Sequence, residues 1–288
     1  MTAVSARPPH QRPRTTRRSL WNIPIGAFIL VVAVLQLVPF YIALTTALKR
    51  KTDLSPQLAF PVDGLFGGNF VAAIEQAGIL RAMLNSAVIA GVSTVLVCVI
   101  GAFAAYPLAR RRSLLNRVIL GGTVGLMMVP ALSVLVPLYS LLADLHALNT
   151  YWGEIAVMVT TSLPVGIFLY TNFMRTLPVS VEEAAVIDGA NRLQLLWFVV
   201  LPMLRPVTAT VAIITGTGVW NEYALSGYIL TDPQTRTIAP AIASFFSLQT
   251  SNLPAAAAAS LIALLPILVA YLFLQKYFVQ GLVGAEKG

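Results

Sequence analysis

Apolar residues in this chain neither alternate nor recur at helical spacing; they run on without a break. Residues 19–48, 82–109, 118–143, 155–174 and 237–275 contain no Asp, Glu, Lys or Arg, and residues 206–231 contain only Glu222. Crossing the roughly 30 Å hydrocarbon core of a bilayer takes about 20 helical residues, so each run is long enough. The last stretch opens with a polar segment, 244–252, which leaves only its second half as membrane. The pattern therefore predicts six spans, at residues 22–48, 82–109, 118–143, 155–174, 206–230 and 254–276. A barrel strand would alternate over about ten residues, whereas these runs are continuous and a helix satisfies its own backbone in lipid. The predicted fold class is an all-α polytopic membrane protein with six transmembrane helices over residues 19–280, a basic tail at 1–18 and a short tail at 281–288.

Composition agrees. Hydrophobic residues make up 57% of the 288 and charged residues 10%, with mean hydropathy +0.80, against about 25% charged in a soluble domain. Six spans of roughly 22 residues leave about 150 for tails and loops, with no loop above about 40, so no soluble catalytic domain fits. Cys98 is the single cysteine and lies within a span, which excludes an internal disulfide. His10 and His146 have no ligand set at metal spacing, and no metal site is expected.

The net charge of +8 is distributed for a membrane, not for nucleic acid. With six spans and both ends on one side, that side carries 14 of the 19 Lys and Arg residues, among them Arg110, Arg111, Arg112, Arg117, Arg175, Arg192 and Arg205. The positive-inside rule then places both termini in the cytoplasm. Lys49, Arg50 and Lys51 lie on the other side and run against the rule. Arg17-Arg18 before an apolar run resembles an export signal, but the run is about twice the 7 to 15 residues of a signal core, so an uncleaved first helix is expected. Residues 1–18, rich in Arg and Pro, are expected to be disordered.

The most patterned loop is 175–205, which reads as two short helices. Ser180 with Glu183 forms a potential capping box, and Gly189 can supply the left-handed residue that ends the first helix. Asn191 with Gln194 repeats the start signal, and Pro202 and Pro206 limit the second helix. Val181, Ala184, Ala185 and Asp188 fall at helical spacing and give one face of small residues. This arrangement fits either a plain interfacial linker or a docking element. Glu183-Ala184-Ala185, then Gly189, Val199, Leu201 and Pro202, resemble the cytoplasmic signature loop of binding-protein-dependent ABC importer permeases, and Asp188-Gly189-Ala190 is similar to the sugar branch. Met128-Val129-Pro130, Pro137-Leu138-Tyr139, Trp220-Asn221-Glu222-Tyr223, the alanine run 255–259 with Pro266, and residues 281–288 resemble the smaller permease subunit of maltose-type carbohydrate transporters.

The resemblance implies a type I ABC importer permease fold in a bacterial plasma membrane. It also implies three kinds of partner: a second permease subunit, a cytoplasmic ABC ATPase dimer and an extracytoplasmic solute-binding protein. Coupling to the ATPase would fall to Glu182, Glu183, Ala184, Ala185, Asp188, Gly189 and Ala190, and the translocation path to Tyr139, Trp220, Asn221, Glu222 and Tyr223. Leu248, Gln249, Thr250, Ser251 and Asn252 would meet the binding protein or form a plain surface loop. No G-x-x-x-x-G-K-[ST] phosphate loop occurs. The chain is therefore not expected to be an enzyme or to hold a cofactor, with ATP and Mg bound in the partner ATPase.

From the residues alone, Glu183 either closes its own capping box or ion-pairs with the ATPase. Glu222, an acid inside a span, must face protein or water because its charge costs roughly 2.5 to 3.5 kcal/mol in lipid. It either lines the path or serves as a structural partner. A secondary transporter would need its own coupling-ion site, usually with more intramembrane polar groups, and a non-transporting scaffold would leave the loop helices unexplained.

Overall fold

A computed structural model describes residues 22–246 and 251–285. The basic tail, residues 247–250 and the last three residues lie outside the described set, and with them the export-signal motif, the expected disorder, and Leu248, Gln249 and Thr250. The chain divides into two units, residues 1–42 and 43–288. The first consists of most of α1 (Asn22–Ala47), an apolar helix that tolerates Pro39 in its interior. Ile25, Phe28, Leu30 and Leu35 are each more than half exposed, as lipid-facing side chains should be.

In the second unit, α2 (Gly68–Glu75) buries Asn69 and Ala73. Asn69 Nδ2 donates to Ala47 O at 2.8 Å and to Lys49 O at 2.7 Å, capping carbonyls at the end of α1. Lys49 itself is buried, and its ammonium donates to Ser55 O (3.4 Å) and Pro56 O (2.7 Å). Arg50 lies 4.9 Å over the Phe66 ring. Two of the three cations that run against the charge rule thus hold their own loop together.

Gly78, left-handed at φ 58°, turns the chain into α3 (Ile79–Arg110), whose 32 residues rise about 48 Å at 1.5 Å each. Three residues later Ser113 caps α4 (Leu114–Leu126), its hydroxyl accepting the Asn116 N–H. Here the predicted third span needs correction: residues 118–143 are not one straight helix. Pro130 cannot donate a backbone hydrogen bond and holds extended geometry (ψ 127°), so the chain turns through 95° into a short 3-10 turn and α5 (Leu135–Asp144). His146 and Asn149 take left-handed backbone (φ 52° and 56°), and Thr150 caps α6 (Tyr151–Thr176).

The loop helix α7 (Val179–Ile187) follows α6. Next come α8 (Arg192–Gln194), a π-helical turn over Leu195–Val200, and α9 (Leu201–Met203). The wide turn has a local cause, since Leu201 N–H reaches back five residues to Leu196 O immediately before Pro202, which has no N–H to offer. A 75° bend leads into α10 (Arg205–Trp220), then α11 (Ala224–Ile229), α12 (Ile238–Ala243) and α13 (Leu253–Ala285). Among the described residues four helices are long and apolar enough to cross a membrane, and counting each bent pair as one span raises the number to six.

α3 packs mainly against α6, through small residues. A Cβ on Gly166 would lie 2.9 Å from Val97 Cγ1, and one on Gly101 would lie 3.3 Å from the Tyr170 ring. In lipid the association of helices depends on such close approach more than on hydrophobic transfer. Tyr170 is buried and donates to Thr208 Oγ1 at 3.0 Å, which ties α6 to α10. One apolar cluster, containing Val97, Ala105, Met174, Val200 and Leu204, fills the end of the bundle nearest α7. At the opposite end Ile79, Ile238, Phe245 and Ala255 to Ala259 form another. There Asn85 Nδ2 donates to Gln234 O (3.0 Å) and Arg236 O (2.8 Å), its Oδ1 accepts the Tyr151 hydroxyl (2.6 Å), and Ser86 Oγ accepts the Ile238 N–H (2.8 Å).

Candidate functional site

At the α7 end the decisive residue is Glu182. Its Oε1 accepts from Arg110 Nε (2.8 Å) and Nη2 (2.6 Å), and its Oε2 accepts the Tyr106 hydroxyl (3.0 Å). The same guanidinium donates to Met174 O (2.7 Å) in the last turn of α6 and to Leu177 O (3.4 Å) just past its end. The two side chains of this ion pair are 13% and 9% exposed. One clamp therefore binds α7 to the ends of α3 and α6. Charge-assisted bonds of this kind are about twice as strong as neutral ones, so the clamp fastens α7 firmly to both helices.

The capping box expected from Ser180 and Glu183 is absent. Pro178 (φ −65°, ψ 126°) is the residue before the helix, so the helix begins at Val179, ahead of Ser180, and no side chain caps it. Glu183 is instead exposed. The expected small-residue face is also split. Ala185 is half-buried on the same side as Glu182, while Val181, Ala184 and Asp188 are exposed. What the sequence did not single out is the exposure of large apolar side chains at this end: Val186 and Ile187 on α7 are 57% and 85% exposed, and Phe198 in the π-helical turn is 78% exposed.

The end of α7 is as expected. Gly189 is left-handed at φ 88°; its N–H bonds Val186 O and the Ala190 N–H bonds Ala185 O, each at 3.0 Å. This is the Schellman pattern, which only glycine enters without strain. The Asn191–Gln194 capping box is present, with both bonds at 2.9 Å.

The predicted fifth span, 206–230, is broken at the Trp220 motif. Asn221 Nδ2 donates to Thr217 O (2.8 Å), a carbonyl in the last turn of α10 that also accepts the Asn221 N–H (3.1 Å), and Glu222 Oε1 accepts the Leu225 N–H (2.6 Å) at the start of α11. Trp220 is buried among Ile238 and Phe245. Tyr223 and, on α5, Tyr139 are 56% and 44% exposed. Trp220 also borders an apolar cavity of about 580 Å³ between α3, α10 and α13, with Gly91, Thr94, Gly216 and Thr217 in its wall.

Glu154 escaped the sequence reading because the predicted span began one residue after it. It is fully buried in the first turn of α6, where Oε1 accepts the Ser226 hydroxyl while Oε2 has no partner among the described residues. Two carboxylates, Glu154 and Glu222, thus hold adjacent residues of α11. Thr150 as a helix cap, directly after the turn residue Asn149, was the available signal, since it moves the helix start ahead of Glu154. Of the expected binding-protein contacts, Ser251 is exposed and bridges to Phe246, whereas Asn252 Oδ1 accepts the Ala255 N–H (3.3 Å) and caps α13.

Comparison with known proteins brings these features together. Residues 98–284 match the family model described as "Binding-protein-dependent transport system inner membrane component". The melibiose/raffinose/stachyose import permease protein of Bacillus subtilis is 42% identical over 260 residues, 90% of this chain and 94% of that one. The diacetylchitobiose uptake system permease protein of Streptomyces coelicolor is 32% identical over 257 residues, 87% of this chain and 83% of its own. In fold, the chain is similar to one in the crystal structure of a bacterial ABC transporter involved in the import of the acidic polysaccharide alginate, with TM-score 0.73 at 20% identity over 90% of this chain and 96% of that one. The matched stretch takes in α7, the Gly189 turn and the break at Glu222, and the chain belongs to the inner membrane component family of binding-protein-dependent transport systems, as a multi-pass permease and not an enzyme.

Proposed function

We propose that this permease pairs with a second permease subunit to import a sugar or sugar derivative, driven by ATP and Mg bound in a cytoplasmic ATPase dimer and supplied with solute by an extracytoplasmic binding protein. Three relatives support the substrate class: their names specify melibiose, raffinose and stachyose, maltodextrin, and diacetylchitobiose. The α7 end faces the cytoplasm, and so do both termini, because most of the basic residues gather there.

The single observation that carries the mechanism is the clamp of Glu182 on Arg110, which leaves one face of α7 open. With Glu182 and Ala185 turned inward, the outward face of Val181, Glu183, Ala184, Ile187 and Asp188 is what an ATPase cleft would receive. Closure of the ATPase pair pulls on that face. The clamp passes the displacement to α3 and α6, and the close contact at Gly101 and Gly166 carries it along the bundle. At the far end the Asn221–Tyr223 break is the flexible joint of the path, with Glu222 and Asn221 occupied in holding backbone and Tyr223 and Tyr139 free to face solute.

The test is reconstitution of the permease pair, ATPase and binding protein in proteoliposomes. ATP hydrolysis should rise on adding sugar-loaded binding protein, and labelled sugar should accumulate inside. Hydrolysis indifferent to the binding protein, with no accumulation of any sugar, would remove this reading.

A further inference from the structure

A second feature at the same end is not used by the coupling mechanism. The three-residue connection between α3 and α4 is held rigid, because Asn116 Nδ2 donates to Pro107 O (2.8 Å) and Arg111 O (2.9 Å), and Ser113 caps α4. Around it lies a polar pocket of about 570 Å³ lined by Arg110, Arg111, Arg112, Arg117, Arg175 and Asn116. Arg110 is neutralised by Glu182, and Arg175 donates to Leu108 O at 3.4 Å. The guanidinium groups of Arg111, Arg112 and Arg117 are exposed and have neither a carboxylate nor a hydrogen-bond acceptor among the described residues. Like charges gathered in a concave site call for an anion.

The surroundings say which kind. Leu108, Leu120 of α4 and Val179, which is 48% exposed, stand in the wall of the pocket itself beside the arginines. A soluble phosphate would have no use for that apolar wall, whereas a lipid carries a chain to cover it. Arginine forks match phosphate oxygens, and basic pockets between transmembrane helices at the cytoplasmic side are suited to lipid headgroups.

We propose that this pocket binds the phosphodiester headgroup of an anionic phospholipid, with an acyl chain against Leu120 and Val179 in its wall. Its assignment to the cytoplasmic leaflet rests on the orientation proposed above. Because Arg110 and Val179 both border the pocket, the lipid sits against the root of α7.

Native mass spectrometry of the full-length chain, with whatever subunits co-purify, tests this with phosphatidylglycerol, phosphatidylcholine and inorganic phosphate as probes. Phosphatidylglycerol should be retained and phosphatidylcholine should not. The triple variant Arg111→Gln, Arg112→Gln, Arg117→Gln should weaken retention about a hundredfold, from roughly fivefold per arginine. The corresponding Arg→Lys triple should keep most of it, and Lys51→Gln with Arg81→Gln at the opposite end should change nothing. Equal retention by the Gln triple, or equal retention of phosphatidylcholine, would overturn the proposal. So would displacement of the lipid by inorganic phosphate at matched concentration, which would make this a soluble-anion site. Loss of ATPase co-purification with lipid retention unchanged would make the surface a protein contact. Lipid retention is read on the permease itself, so failure of the sugar or coupling reading would leave this test intact.

Discussion

Glu182 and Glu183 are neighbours in sequence with opposite surroundings, and the turn of one helix separates them. The sequence showed that an acid pair sits there; it could not show that Arg110, 72 residues earlier, reaches Glu182, because no local spacing encodes that contact. Removing one member of a buried pair costs about 3 to 5 kcal/mol, since the other charge is left behind. Arg110→Met should therefore lower the thermal midpoint and yield of the permease sharply, while Glu183→Gln should leave both unchanged; similar losses from the two would deny the clamp. Glycines are graded in the same way. Gly166→Val must push against Val97 and should cost about 1 to 3 kcal/mol, whereas Gly91→Ala meets nothing within 4 Å and should be neutral in the same melting assay.

The elements divide by what terminates them. Gly189 and the Asn191–Gln194 box were legible because capping is written within a few residues. The breaks after α4 and α10 were not, because hydropathy records what lipid will accept and is blind to backbone geometry: 118–143 and 206–230 stay apolar while the helix is interrupted. Pro130 was the local sign of the first break. At the second, Glu222 caps the Leu225 N–H where α11 starts, and the Asn221 amide adds a second bond to Thr217 O. Glu222→Gln keeps an acceptor for the Leu225 N–H and should assemble normally, while Glu222→Ala should reduce assembled transporter by the loss of a helix cap, about 0.5 to 2 kcal/mol. If both assemble like wild type and uptake per complex falls, the carboxylate acts on solute instead. At the other break, Gly189→Val is strained at φ 88°. It should insert normally yet lose ATPase co-purification and uptake; undiminished uptake would remove this turn from coupling.

On the scale of the whole molecule, six crossings and the gathering of arginine at one end were readable, because charge and apolar length act along the chain. The close packing at Gly101 and Gly166 between α3 and α6 was not, since a glycine in an apolar run gives no sign of which helix it will face. Orientation can be tested in a Cys98→Ala background: Asp63→Cys should react with an impermeant thiol reagent added outside, and Arg112→Cys should not. The central claim, that the exposed face of α7 is where the ATPase engages, is tested most directly by a photo-crosslinking residue in place of Ile187, 85% exposed, with one in place of Leu54, 94% exposed at the opposite end, as the control. Illumination of membranes containing the assembled transporter should join the chain to the ATPase from position 187 and not from position 54. An adduct to the ATPase from position 54, or none from 187 in a complex that still hydrolyses ATP, would contradict it.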